Sequence, residues 1–129
     1  LETIASINGM VAKACKNKKK HDEIEMAFDN LLKNAREGDD ECLSVFNEGA
    51  ISLGKAIAYL INIINPQKIV LGKKFPEYSD LVIDVIRKTV KKYALNYPSS
   101  QVEILSSSFG EDSSALGAAI IPIRKLFGR

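Results

Sequence analysis

The reading of this chain turns on residues 65–72, Asn65-Pro66-Gln67-Lys68-Ile69-Val70-Leu71-Gly72. A long helical pattern enters it, running from about Asp40 to Ile64. Pro66 ends that pattern, because proline lacks an N–H and pushes the residue before it out of the helical region. Ile69, Val70 and Leu71 form a short apolar run that predicts a strand buried on both faces. Gly72 closes the strand and opens a loop, Lys73 to Tyr78, that leads into another helix. Helix, buried strand, glycine loop and helix make half of an α/β unit, where ligands sit beyond the carboxyl end of the strand. The loop at Gly72 is therefore the expected place for a ligand.

On the amino-terminal side, Ile4, Ile7, Val11 and Ala14 give a first helical pattern, and residues 16–22 read as a charged linker. Ile24, Ala27, Phe28, Leu31, Leu32 and Ala35 recur at helical spacing and predict a second, amphipathic helix. Gly38 is its natural stop, and Asp39 or Asp40 the cap of the next. The helix from Asp40 to Ile64 is apolar over much of its circumference, with a ridge of small residues at Ala50, Gly54 and Ala58. Glycine costs a helix interior about 1 kcal/mol relative to alanine, so Gly49 and Gly54 predict a close backbone approach by a neighbour. A helix this apolar is buried centrally or forms a subunit interface.

Beyond Gly72, a fourth helix is defined by Leu81, Val82, Val85, Ile86, Val90, Tyr93 and Ala94, with Arg87, Lys88, Lys91 and Lys92 on its wet side. Residues 96–100 form a turn, and Val102, Ile104 and Leu105 read as a second strand. A polar loop from Ser106 to Asp112 precedes a last helix over Ser113 to Phe127, kinked at Pro122. The predicted order is α-α-α-β-α-β-α, its two strands parallel and joined by a right-handed crossover. Two strands are too few for a free-standing parallel sheet, and the chain opens on Leu1 with no initiating methionine. Both features are expected of a piece cut from a longer protein.

The 129 residues suit a single domain with a proper core. A net charge of +2 is too small to argue for nucleic acid or a membrane surface by field alone. Lysines cluster at residues 16–20 and 88–92, but the first group is followed at once by Asp22, Glu23 and Glu25, so both read as solvated surface. Cys15 and Cys42 have no metal-like spacing and read as reduced thiols of a cytoplasmic protein with no signal peptide, a structural disulfide being the alternative. The longest uncharged apolar stretch, Ala56 to Ile64, is too short to span a bilayer.

Gly49-Ala-Ile-Ser-Leu-Gly54-Lys55 has the glycine and lysine spacing of a phosphate loop. The next residue is Ala56, which offers magnesium no hydroxyl, and the stretch lies inside a helical pattern, so that reading is rejected. His21 is the only histidine and has no ligand or acid at useful spacing, which makes it a solvated side chain. Ser106, Ser107 and Ser108 read as a strand end and loop whose hydroxyls could meet a ligand. Asp112 or Ser113 reads as a helix cap.

Four stretches, in order and spanning nearly the whole chain, resemble the C-terminal half of the ROK family of repressors and sugar kinases. Leu1-Glu2-Thr3-Ile4-Ala5-Ser6 is similar to the segment after the last cysteine of the family's zinc motif, Cys-x-Cys-Gly-x-x-Gly-Cys-x-Glu. Leu53 to Pro66 and then Ile69-Val70-Leu71-Gly72 are similar to its helix and its Asn-Pro-x-x-Ile-Val-Leu-Gly-Gly strand. Residues 107–119 resemble its Ser-x-Leu-Gly-x-x-Ala-x-x-Gly-Ala-Ala ending.

The resemblance implies an α/β fragment of the second lobe of an actin-like ATPase, or ribonuclease-H-like, fold. It implies that Glu2 binds sugar hydroxyls, and that Gly72, Lys73 and Gly110 correspond to loops facing nucleotide in the kinases. It places the zinc ligands, the catalytic aspartate and the phosphate loop upstream, leaving this stretch with no catalytic residue, metal or cofactor of its own. Lys73 and Lys74 stand where family members have further glycines, and their side chains would crowd a nucleotide, though they could also contact its phosphates. That departure favours a sugar-responsive transcriptional regulator, homodimeric or larger, touching DNA only through an upstream winged helix. The alternative is a glucokinase-like enzyme using ATP and magnesium.

Overall fold

The computed structural model describes the backbone of residues 6–15, 21–95 and 102–108, and their side chains except those of Cys15, His21 and Asp22. The elements are α1 (Ile7–Cys15), α2 (His21–Arg36), α3 (Asp40–Ile64), β1 (Lys68–Leu71), α4 (Phe75–Tyr93) and β2 (Glu103–Ser106). The expected turn at residues 96–100 and the last helix lie outside the described residues. Of the expected linker, residues 21 and 22 already belong to α2, so His21 opens a helix.

The boundaries follow from local chemistry. After α2, the Gly38 N–H donates to the Ala35 carbonyl at 3.2 Å and the Asp39 N–H to that of Asn34 at 3.0 Å. Gly38 sits at φ +95°, the left-handed turn such a helix end requires. Asp39 then caps α3, its carboxylate accepting from the Cys42 N–H at 2.9 Å. At the far end Asn65 takes φ +50° and donates its N–H to the Ile61 carbonyl, so the helix ends at Ile64, two residues before Pro66. Asp39, as an N-cap, and Gly38 both occupy the positions expected of them.

α3 packs most extensively on α4. A Cβ on Gly54 would stand 2.7 Å from Thr89 Cβ and 3.2 Å from the Ile86 carbonyl oxygen. Only a glycine lets the two backbones come this close, as anticipated for Gly54. Ala50 and Ala58 of the same ridge are buried, together with Phe46, Ile57 and Ile61. Asn62 ties the other ends of the pair: its side chain accepts from the Leu95 N–H at 2.9 Å and donates to the Tyr93 carbonyl at 3.4 Å. On the α2 side, Phe28, Phe46, Phe75 and Tyr78 form one ring cluster, with centroids 5.3 to 5.9 Å apart.

β1 and β2 pair in parallel, Lys68 opposite Glu103 through Leu71 opposite Ser106. The ladder is extended at its ends by the Glu103 N–H to Gln67 and the Ser107 N–H to Leu71. Ile69, Leu71 and Ile104 pack against the helical core, as alternation along a strand requires. The expectation of a strand buried on both faces fails. Val70 is 61% exposed and its partner Leu105 41%, because among the described residues no element covers that side of the sheet. The loop expected over residues 73–78 is also too long. α4 begins at Phe75, with Pro76 in its first turn, where the missing N–H has no partner to lose. No helix among the described residues is long and apolar enough to cross a membrane.

Two measurements check this account. Gly54→Ala gains helix propensity but forces α3 off Thr89, and it lowers stability by about 1–3 kcal/mol in denaturant unfolding. Asp39 is held below the usual carboxylate range by the Cys42 backbone N–H, so its contribution is present above that range and lost as pH falls through its depressed value. Asp39→Ala accordingly lowers the melting temperature at neutral pH, and its gap to the parent chain closes in acid.

Candidate functional site

The turn out of β1 is short and tightly fixed. The Phe75 N–H donates to the Gly72 carbonyl at 3.2 Å, leaving only Lys73 and Lys74 between glycine and helix. Lys73 is exposed and takes φ +53°, a left-handed conformation that costs a non-glycine residue about 1–2 kcal/mol. Lys74 precedes α4 in helical geometry and gives it no side-chain cap. Instead its ammonium lies 3.0 Å from Glu25 Oε1 on α2, with the side chain only 18% exposed. Below the turn, Phe75 and Tyr78 are locked into the ring cluster.

The start of α1 faces this turn. The Ser6 hydroxyl accepts from the Gly9 N–H at 3.0 Å, capping the helix. Residues 6–8 on one side and 72–75 on the other, with Tyr78, enclose a cleft of about 300 Å³. That volume is at the small end of ligand sites. Burial pushes the Tyr78 phenol above its ordinary range, with Glu77 adding to the effect, so it stays neutral at physiological pH. The described lining offers a hydroxyl, an amide, a phenol and ammonium groups, with no carboxylate, histidine or thiol among them. Such groups can pair with polar or anionic atoms; among the described lining residues there is no pair for nucleophilic or acid–base chemistry.

Of the residues singled out in the sequence, Gly72 and Lys73 line the cleft. Glu2 and Gly110 lie outside the described residues. Ser6, Asn8 and Tyr78 line it without having been singled out. Ser6 was legible as a helix cap three residues before Gly9, and Tyr78 as a partner of Phe75, Val82 and Ile86 at helical spacing. Ser107 is buried beside Leu71, while Ser106 and Ser108 are exposed. The glycine–lysine stretch from Gly49 to Lys55 lies wholly within α3 and forms no phosphate loop. A second hollow, about 480 Å³, lies between α1, α2 and the start of α3 and includes Lys13, Asp40 and Cys42. Cys42 is a free thiol, pushed up by burial and by the neighbouring Asp39.

The sequence model of the ROK family matches residues 1–125. The chain belongs to the ROK family. It is 31% identical over 127 residues to a glucokinase of Halalkalibacterium halodurans, a match covering 91% of this chain and 38% of the enzyme. It is 26% identical over 126 residues to the DNA-binding transcriptional repressor Mlc of Escherichia coli, covering 94% of this chain and 31% of the repressor. The xylose repressor of Bacillus subtilis is 25% identical over 101 residues, covering 78% of this chain and 26% of that protein. This ROK chain thus spans about a third of the length of these relatives, which include both kinases and repressors. Membership implies the actin-like ATPase fold expected from the sequence, and the helix-rich α/β unit with its parallel strand pair agrees with it.

The left-handed backbone at Lys73 makes a direct prediction. Lys73→Gly relieves the strain and raises stability by about 0.5–1 kcal/mol, less than the full left-handed cost because glycine gains entropy in the unfolded chain. Lys73→Val lowers stability by a similar amount, and thermal melts of the two variants separate them.

Proposed function

We propose that this ROK chain is part of the second lobe of an actin-like fold in a sugar-responsive transcriptional regulator, and that it supplies two facing walls of the effector site. The observation that carries this reading is the meeting of the α1 start with the Gly72 turn across one cleft. Glu2 stands four residues before Ser6 in the chain, and in this reading its carboxylate accepts hydroxyl hydrogens of the sugar. Lys73 and Lys74 favour the regulator over the kinase. Two long side chains follow Gly72, one tied to Glu25 and the other standing at the mouth of the cleft, so the turn gives a nucleotide little room for close backbone approach.

In the whole protein, sugar binding would favour one arrangement of the lobes over another, in proportion to its differential affinity for the two. The protein would work in the cytoplasm as a homodimer or larger assembly, with α3 contributing packing or subunit contacts. DNA-binding and zinc-binding segments would belong to other parts of the same chain. The alternative is the corresponding lobe of an ATP- and magnesium-dependent sugar kinase, favoured by the 31% identity to a glucokinase.

An ATP-dependent sugar phosphorylation assay on the full-length protein separates the two. The regulator reading expects sugar binding by calorimetry without turnover; turnover overturns it. In the same protein, Glu2→Gln weakens sugar binding by about 1.5–3 kcal/mol, the range for a hydrogen bond to a charged group. Unchanged affinity removes Glu2 from the site.

A further inference from the structure

We propose that the paired ends of α3 and α4 form a docking surface for an anionic lipid bilayer, a reading independent of the effector site. The two helices finish side by side, because Asn62 accepts from the Leu95 N–H at 2.9 Å and donates to the Tyr93 carbonyl at 3.4 Å. Two ammonium groups converge on the Tyr93 ring there, Lys55 Nζ at 5.3 Å and Lys92 Nζ at 5.4 Å from its centroid. Tyr59 and Ile63 follow Lys55 by one and two helical turns, so they continue the same side of α3. Ile63 is 80% exposed and Leu95 64%, with Tyr59 and Ile64 also largely in solvent. Gly72 and the cleft lie at the other end of β1.

A net charge of +2 hides how one-sided this end is. Residues 49–67 and 85–95 contain Lys55, Arg87, Lys88, Lys91 and Lys92 and no carboxylate. Arg87 pairs with Asp84 at 3.9 Å, while Lys55, Lys88, Lys91 and Lys92 have no ion-pair partner among the described residues. Lys88 and Lys92 stand one helical turn apart, and like charges at that spacing repel. An anionic surface relieves a cost that the folded chain carries alone.

Lipid fits this mixture better than other anionic or apolar partners. Protein interfaces are poor in lysine, and a second copy of this face would set lysine against lysine. Nucleic acid would answer the charges but give Ile63 and Leu95 nothing apolar to enter. An anionic bilayer answers both: headgroups meet the lysines, the tyrosine rings sit at the interface, and the aliphatic side chains enter the acyl boundary.

The test is flotation of the full-length protein with vesicles of phosphatidylcholine alone and of equal parts phosphatidylcholine and phosphatidylglycerol. The expected result is binding to the anionic vesicles about tenfold or more tighter than to the neutral ones. Lys88→Glu with Lys91→Glu, and separately Ile63→Ser with Leu95→Ser, each weaken that binding about tenfold or more. All four positions are exposed, so the core is untouched, and thermal melts check that both variants fold. Ile63→Phe, which keeps an apolar side chain at the surface, retains binding. No preference for anionic vesicles, or a preference that survives either double variant, overturns the proposal. So does a concentration-dependent dimer that Ile63→Ser with Leu95→Ser disrupts while vesicle binding is absent.

Discussion

The close approach of α3 and α4 at Gly54 and Thr89 governs the geometry of everything downstream. With the two helices held at that distance, the chain between them has only Asn65, Pro66 and Gln67 in which to turn before β1 begins. The strand must therefore run back along the helices, and its alternate residues Ile69 and Leu71 meet the core that the helices share. α4 then carries the chain to the far end of the sheet, and β2 returns parallel to β1. The carboxyl end of β1, and with it Gly72, is delivered to the end of the unit where α1 starts.

The Gly72 turn is held by three different forces. A backbone hydrogen bond from Phe75 closes it, burial of Phe75 and Tyr78 anchors its helical side, and the Lys74–Glu25 pair ties it to α2. Glu25 is half exposed, so solvent screens that pair and aromatic burial is the stronger restraint. Against this stands the left-handed backbone of Lys73, which the other contacts over-determine. The turn therefore holds one exposed cation in a strained backbone conformation.

Much of the fold could be read from the residues, because its signals are local. Gly38 and Asp39 mark one helix boundary, Asn65 and Pro66 another, and the small-residue ridge announces the close helix contact. Three expectations failed, one for want of long-range information and two, at His21 and Phe75, by starting a helix too late. An apolar run such as Ile69-Val70-Leu71 cannot reveal how many elements cover it, and among the described residues only one side is covered. Pro76 argues against a helix interior but not against a first turn, and the spacing of Phe75, Tyr78, Val82 and Ile86 was the signal for starting α4 earlier. The cleft was half legible. Gly72 and Lys73 follow from the strand–glycine pattern, whereas Ser6 and Asn8 reach it only through the packing of α1, which no spacing in the sequence encodes. The resemblance to the family rested on the order of motifs, none of which is specific alone, and the match over residues 1–125 shows the membership.

The central claim is that the start of α1 and the Gly72 turn form two walls of one ligand site. Hydrogen–deuterium exchange on the full-length protein, with and without a saturating sugar, tests it most directly. The account predicts that ligand slows exchange together at residues 7–9 and 73–75, while the core of α3 between Phe46 and Ile61 stays unchanged. Protection confined to the hollow around Cys42, or to one wall without the other, would contradict it.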